Sequence, residues 1–205
     1  KLPEIIKEQG YTALAMAYVQ SDSMQKAKES LIKATKTNKN AVQAARNLFV
    51  LGQMYASENK PDSATTVFKR IVNFRKAPDK FKIHAQIAIA KNFPKDSSSV
   101  SLHKTLRKLI KNRDNRPYLD ALYYQVGVLE EYKDSISLAV ENYNKSLRAK
   151  NAKATQKTYT YERLGNLYFK NNEFQLASSY YDSVLQVAEN KTALRIRRVK
   201  RKFKN

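Results

Sequence analysis

Apolar residues recur along the chain with a period of about 36 to 39 residues, which lies in the range of repeat architectures. Each period holds two apolar segments separated by a short polar turn. Apolar positions are spaced by three, one and three residues in the first segment, and by four and three in the second. Because both spacings place side chains on one face of an α-helix, each period predicts a pair of helices. The first segments hold Tyr11, Leu14, Ala15, Tyr18; Leu48, Leu51, Gly52, Tyr55; Tyr123, Val126, Gly127; and Tyr161, Leu164, Gly165, Tyr168.

The second segments complete five predicted units, which together form a repeat array over residues 1–190. The units span about residues 8–41, 45–78, 81–116, 120–153 and 158–191. Small residues on the facing helices predict close antiparallel packing within each pair. They are Ala15, Gly52, Ala88, Gly127 and Gly165 on the first helices, and Ala27, Ala64, Ala139 and Ala177 on the second. The third unit is degenerate and contains a longer turn with Pro94.

Proline placement and turn chemistry support an all-helical chain. All five prolines precede or start an apolar segment, where a helix tolerates them. A recurring Asp-Ser pair in the turns is predicted to cap the second helix of each unit with a side-chain oxygen. These pairs are Asp22 and Ser23, Asp62 and Ser63, Asp96 and Ser97, and Asp134 and Ser135.

The pattern resembles the tetratricopeptide repeat (TPR). That family places a large residue, Leu, Gly or Ala, and Tyr on the first helix, and Ala, Phe or Tyr, and Ala on the second. The resemblance implies an all-α, right-handed solenoid of about five helix-turn-helix units plus a basic C-terminal helix over residues 191–205. The period is longer than the family's usual length of about 34, and the closing proline of each repeat is missing.

In TPR proteins the first helices line a concave groove that binds other proteins or peptides. The resemblance therefore implies a groove here, although an ordinary solvated helix position is the alternative interpretation for any single residue. A Lys and Asn clamp for peptide carboxylates is missing, because Thr12, Met16, Phe49 and Gln53 hold its positions. The candidate groove residues are Arg46, Phe49, Lys82, Tyr124, Tyr132, Tyr159, Asn166 and Phe169.

Charge adds a second candidate surface. The chain has 39 Lys and Arg against 18 Asp and Glu, a formal charge of +21, which favours an acidic partner, nucleic acid or an anionic surface. Residues 191–205 hold eight basic residues and no acidic one, with Ile196, Val199 and Phe203 on one helical stripe. This segment is either the first helix of a further unit or a docking element. Its candidate residues are Arg195, Arg197, Arg198, Lys200, Arg201 and Lys202.

Several function classes are disfavoured. No cysteine is present, His84 and His103 are the only histidines, and no catalytic motif is recognisable, so we expect neither an enzyme nor a metal or cofactor site. No apolar run reaches the length of a membrane span.

The favoured function is a non-catalytic protein-interaction scaffold, and the alternative is a helical-repeat nucleic-acid-binding protein in the cytoplasm. Lys and Asn richness, the Asp-Ser turns and the basic end are similar to TPR lipoproteins of type IX secretion and gliding motility in Bacteroidota. That resemblance implies a periplasmic connector anchored at the outer membrane. Because the lipidated cysteine of those proteins is absent, the chain would be an internal fragment with its anchor elsewhere.

Overall fold

The structure is a computed structural model that describes residues 3–93 and 100–204. Over these residues it consists of eleven α-helices and one 3-10 helix, Arg113–Tyr118, without a strand, which confirms the all-α prediction. The α-helices are α1 (Glu4–Gln20), α2 (Met24–Ala34), α3 (Ala41–Ser57), α4 (Pro61–Asn73), α5 (Asp79–Lys91), α6 (Val100–Lys111), α7 (Leu119–Tyr132), α8 (Ile136–Arg148), α9 (Ala154–Lys170), α10 (Phe174–Val187) and α11 (Leu194–Lys204).

The first compact unit, Lys1–Ser97, contains α1 to α5. Helix α1 packs against α2, α3 packs against α4, and α5 packs on α4. In the α3–α4 pair, Gly52 faces the buried ring of Phe68. A Cβ atom on Gly52 would lie 2.5 Å from that ring, so only glycine allows this approach.

The second compact unit, Ser98–Asn205, contains α6 to α11 and repeats the same packing. The pairs are α7 with α8 and α9 with α10, and α11 packs on α10. Gly127 lies under the ring of Tyr143 and Gly165 under that of Tyr181, where added Cβ atoms would lie 2.6 Å and 2.7 Å from the rings. The small residues predicted at these positions therefore do bring the paired helices together.

The predicted third unit, 81–116, falls across the two compact units. Helix α5 belongs to the first and α6 to the second. Pro94 and the pair Asp96 and Ser97 lie outside the described residues.

The turns differ from the sequence prediction. Ser23 and Ser135 precede α2 and α8, but neither side chain caps its helix. Asp62 and Ser63 lie inside the first turn of α4, after Pro61. The prediction of side-chain caps for the second helices was therefore wrong at these three turns.

The turn residues instead end the first helices. Asp22, Asn59, Asp134 and Asn172 adopt φ values of 55°, 56°, 58° and 62°, in the left-handed region that Asn and Asp tolerate better than most residues. After α7, the N–H of Asp134 donates to the carbonyl of Glu131, and the next N–H reaches Glu130 at 2.9 Å. This pair of bonds is a Schellman motif, and it satisfies carbonyls that the helix end leaves free.

Helix α11 covers the end of the last pair. Ile196 and Val199 are buried in a cluster with Ala177, Tyr181 and Val184 of α10. This is the packing expected of the first helix of a further unit. Among the described residues, no helix has both the length and the apolar composition needed to cross a bilayer.

Candidate functional site

A groove lies between the first helices α1 and α3 of the first two pairs. Its volume is about 290 Å³, and its lining includes Ala15, Met16, Val19, Arg46 and Val50. Met16 and Val19 keep 54% and 41% of their surface exposed. Arg46, a predicted groove residue, is exposed at the same opening. The groove thus combines an apolar surface with one cation.

Buried polar contacts set the spacing of the two helices that form this groove. The Nδ2 of Asn47 donates to Thr12 Oγ1 at 2.7 Å, and that hydroxyl donates to the carbonyl of Glu8 at 2.8 Å. Gln43 Nε2 donates to Asn47 Oδ1 at 2.9 Å. Thr12 holds a groove position by family analogy, but its side chain is buried and both hydrogen bonds of its hydroxyl are made within this network. The groove is therefore built on fixed side chains.

Phe49 and Lys82 take part in contacts within the first compact unit. The half-buried ring of Phe49 lies 5.5 Å from Phe68 and 6.4 Å from Phe81, centroid to centroid. Lys82 Nζ donates to the carbonyl of Arg75 at 3.1 Å. Neither side chain lines the groove between α1 and α3.

The two tyrosines predicted on α7 differ in environment. Tyr132 is 48% exposed. Tyr124 is half-buried against the ring of Tyr143, at 5.6 Å, and this burial raises the pKa of its phenol. The Tyr124 ring therefore packs mainly between α7 and α8.

Tyr143 itself belongs to a polar contact between repeats. Its hydroxyl donates to Glu131 Oε2 at 2.8 Å, and Arg163 Nε of the next pair donates to the same oxygen at 2.7 Å. Burial, together with the negative charge of Glu131, raises the pKa of Tyr143 far above its usual range. Glu131 therefore joins α7, α8 and α9.

The predicted residues of the last pair lie close to α11. The guanidinium of Arg195 stacks 3.9 Å above the centroid of the Tyr159 ring. Asn166 Oδ1 accepts hydrogen bonds from Tyr181 Oη at 2.9 Å and from Lys202 Nζ at 2.8 Å. Side chains of α11 therefore contact Tyr159 and Asn166, although Tyr159 keeps 43% of its surface exposed.

Phe169 remains a partly free aromatic at this end of the chain. Its ring is 53% exposed and meets Phe174 edge-on, with centroids 5.3 Å apart. Phe203 of α11 lines the same depression.

Two segments of the chain, residues 8–40 and 158–191, match the family model for the tetratricopeptide repeat. These two segments, one in each compact unit, are tetratricopeptide repeats.

Solved structures show the same fold. A crystal structure of MamA shares 19% identity and a TM-score of 0.60, covering 90% of this chain and 93% of that one. MamA from Desulfovibrio magneticus RS-1, solved from residue 41 to its end, shares 15% identity and a TM-score of 0.59, and the match covers 91% of this chain and 98% of that one. PilF of Pseudomonas aeruginosa shares 15% identity and a TM-score of 0.60, and the match covers 98% of this chain and 90% of PilF. No curated protein matches the chain in sequence.

The basic residues of α11 fall into two groups. Arg195 donates to the carboxylate of Glu162 and to the hydroxyl of Thr158, and Lys202 binds Asn166, so two of the six predicted tail residues are used internally. The other predicted residues are exposed: Arg197, Arg198, Lys200 and Arg201. Three of them share a depression of about 520 Å³ with Lys191 and Thr192, and no acidic residue lines it. We call this surface the basic face of α11.

Sequence reasoning missed Val19 and Val50 as groove residues. Val19 lies three residues after Met16, and both fall outside the spacing of three, one and three residues that defines the predicted packing face of a first helix. An apolar side chain outside that spacing was the available signal. As for metal sites, no group of three potential metal ligands occurs among the residues that the structure describes.

Proposed function

We propose that this TPR protein is a non-catalytic scaffold that holds another protein in the groove between α1 and α3. The repeat fold supports a protein-interaction role in general. The observation that carries the more specific proposal is the exposure of Met16 and Val19 in a preformed groove. Polar residues would be expected at solvated helix positions, whereas apolar side chains there gain free energy when a partner covers them.

The groove geometry indicates what kind of segment it would take. A volume of about 290 Å³ is at the low end of ligand pockets, which suits one or two apolar side chains of a peptide or helix. Arg46 at the opening favours an acidic residue beside that apolar anchor. Because the Asn47 and Thr12 contact already fixes the helix spacing, binding would cost little ordering of the groove.

The basic face of α11 would be a second docking surface for an acidic partner. Its cations stand on a helix held by buried apolar contacts, so their spacing is fixed. Exposed charges of one sign mainly accelerate association and select partners by charge. In this proposal the groove provides most of the binding affinity, and the basic face of α11 accelerates association with an acidic partner.

A photo-crosslinking amino acid at Met16 of the full-length protein, introduced in its own cells, tests the groove. The matched control places the same amino acid at Leu176, which is 46% exposed on α10. We expect a discrete protein adduct from Met16 that is absent from Leu176. Identical adducts at both positions, or none at Met16, would remove the groove from consideration.

Binding measurements with the captured partner then test the chemistry. Met16→Gln and Arg46→Glu should each weaken affinity by about tenfold, because the first removes apolar contact and the second reverses the rim charge. Lys108→Glu on α6 changes charge by the same amount as Arg46→Glu and serves as its control. Equal losses for the two charge reversals would show that only net charge matters.

For the cellular setting, we propose a periplasmic connector in a secretion or gliding-motility machine, anchored at the outer membrane outside this segment. The support is the resemblance in composition, turns and basic end to the type IX secretion lipoproteins. Cell fractionation of the parent protein, with identification of the crosslinked proteins, tests this. Recovery of the protein in the cytoplasm with no envelope partner would refute it.

The charge of +21 and the basic face of α11 also support a second candidate, binding of nucleic acid. Nuclease treatment before purification distinguishes the two functions. Partners that survive nuclease support the scaffold. Loss of all partners, together with an affinity for nucleic acid that falls steeply with salt, supports the alternative.

A further inference from the structure

A depression in the first compact unit, separate from the groove, lies where α2 and α4 end. Its volume is about 610 Å³. Four cationic side chains line it, and Thr66 and Asn73 add a hydroxyl and an amide, whereas no Asp or Glu does. The cationic residues are Lys36, Lys69, Arg70 and Arg75.

One of the four cations has a structural role. Arg70 Nη2 donates to the carbonyl of Thr35, the residue that ends α2, at 2.7 Å. Basic residues commonly stabilise helix C-termini in this way. The side chains of Lys36, Lys69 and Arg75 make no hydrogen bond or ion pair with the described residues, and all three are exposed.

A charge balance shows that helix ends do not account for the cluster. The C-termini of α2 and α4 each contribute about half a negative charge. Buried Glu8 adds a formal charge of about −1. Its Oε2 accepts a hydrogen bond at 2.8 Å from the hydroxyl of Thr37, which lines the depression. Against four cations, a net charge of about +2 remains.

We propose that this depression binds a small ligand with two or more phosphate or sulfate groups. Arg75 offers a planar fork that matches a tetrahedral oxyanion, and Lys36 and Lys69 offer mobile point charges. The volume falls within the range of small-molecule sites and exceeds what a single oxyanion requires. Thr66 and Asn73 provide neutral partners for hydroxyl groups of the same ligand.

Calorimetric titration of the intact chain with inorganic triphosphate, and separately with a sulfated disaccharide, tests the site. We expect saturable binding of at least one probe. A preference for triphosphate assigns a phosphate ligand, and a preference for the disaccharide assigns a sulfated sugar; both outcomes support the site. Absence of saturable binding for both probes overturns the proposal.

Variants locate the binding. Lys69→Ala combined with Arg75→Ala should weaken affinity about tenfold or more, because both charge-assisted contacts disappear. The control combines Lys104→Ala and Lys108→Ala on α6, which removes the same charge from exposed positions of the second compact unit. The control should stay within about twofold of the unmodified chain. Equal losses in the two variants would mean diffuse attraction to net charge and would refute the site.

A charge-conserving variant separates oxyanion recognition from charge alone. Arg75→Lys keeps the cation but removes the planar fork, so affinity should fall severalfold while net charge is constant. Circular dichroism of each variant checks that the fold is retained. Unchanged affinity in Arg75→Lys together with full affinity in the double variant would place the ligand elsewhere.

Discussion

Replacing Gly52 with alanine tests the close helix packing on which each repeat depends. At an open helical position, alanine stabilises a protein by about 0.5–1 kcal/mol relative to glycine, because it loses less backbone entropy. At Gly52 the new Cβ would lie 2.5 Å from Phe68 Cε1 and 2.7 Å from Cζ, whereas carbon atoms normally contact at about 3.5–4.0 Å. The ring must therefore move by about 1 Å.

The surroundings of Phe68 resist that movement. Its ring is 1% exposed and packs against Phe49 at 5.5 Å. Overpacking of a buried site costs about 1–3 kcal/mol, which outweighs the gain in helix propensity. We expect Gly52→Ala to lower the free energy of unfolding by about 1–2 kcal/mol.

Gly10 provides a control in the same compact unit, since a Cβ there meets nothing within 4 Å. Gly10→Ala in α1 should raise the free energy of unfolding by about 0.5–1 kcal/mol. Urea titration followed by far-ultraviolet circular dichroism measures both variants. A Gly52→Ala variant as stable as Gly10→Ala would refute the packing argument.

A double-mutant cycle identifies the clash itself. Phe68→Leu alone leaves a cavity and destabilises the chain, but it also removes the ring atoms that the alanine methyl would meet. Combining it with Gly52→Ala should cost about 1 kcal/mol less than the sum of the single changes. Simple additivity would mean that the methyl group and the ring do not interact.

Three further predictions concern other contacts. Asp134→Gly should stabilise the chain by about 0.5–1 kcal/mol in thermal unfolding, because glycine adopts the φ of 58° without the steric cost of a side chain. Arg195→Ala should increase hydrogen exchange of α11, since it removes the contacts with Glu162 and Thr158. The pKa of Tyr143 is raised in the folded state, so the protonated phenol contributes its full share to the free energy of unfolding below the unfolded pKa of about 10, and this contribution is lost as pH rises above that value. Tyr143→Phe should therefore make the free energy of unfolding fall less steeply at alkaline pH, as measured by urea titration.

The repeat pattern predicted the helices and their pairing because a spacing of three and four residues has one structural solution. Ala27, Ala64, Ala139 and Ala177 are all buried at the predicted helix contacts. The turns were harder to predict, since Asp and Asn favour both helix caps and the left-handed backbone at a helix end. Asp134 takes the second role, and only the backbone geometry distinguishes the two.

The candidate surfaces were less predictable because they depend on contacts between distant segments. Arg195 lies 33 residues from Glu162, and no local pattern indicates that this cation is used within the chain. The same guanidinium lies over the ring of Tyr159, which keeps 43% of its surface exposed. Phe49 and Tyr124 are half-buried aromatics, and periodicity does not distinguish such positions from groove positions. Arg46 lines the groove between α1 and α3.

The packing of α11 also constrains how its basic face can act. Insertion of an amphipathic helix into a bilayer requires a free apolar stripe. Here Ile196 and Val199 are 5% and 0% exposed, and Arg195 and Lys202, seven residues apart on one side of that stripe, bind Glu162 and Asn166 of α9. Releasing the two apolar side chains would cost about 3–6 kcal/mol before any lipid contact formed. A partner that binds the exposed cations while α11 stays packed on α10 leaves this burial of Ile196 and Val199 intact. The basic face of α11 therefore suits an acidic macromolecular surface better than insertion into a bilayer.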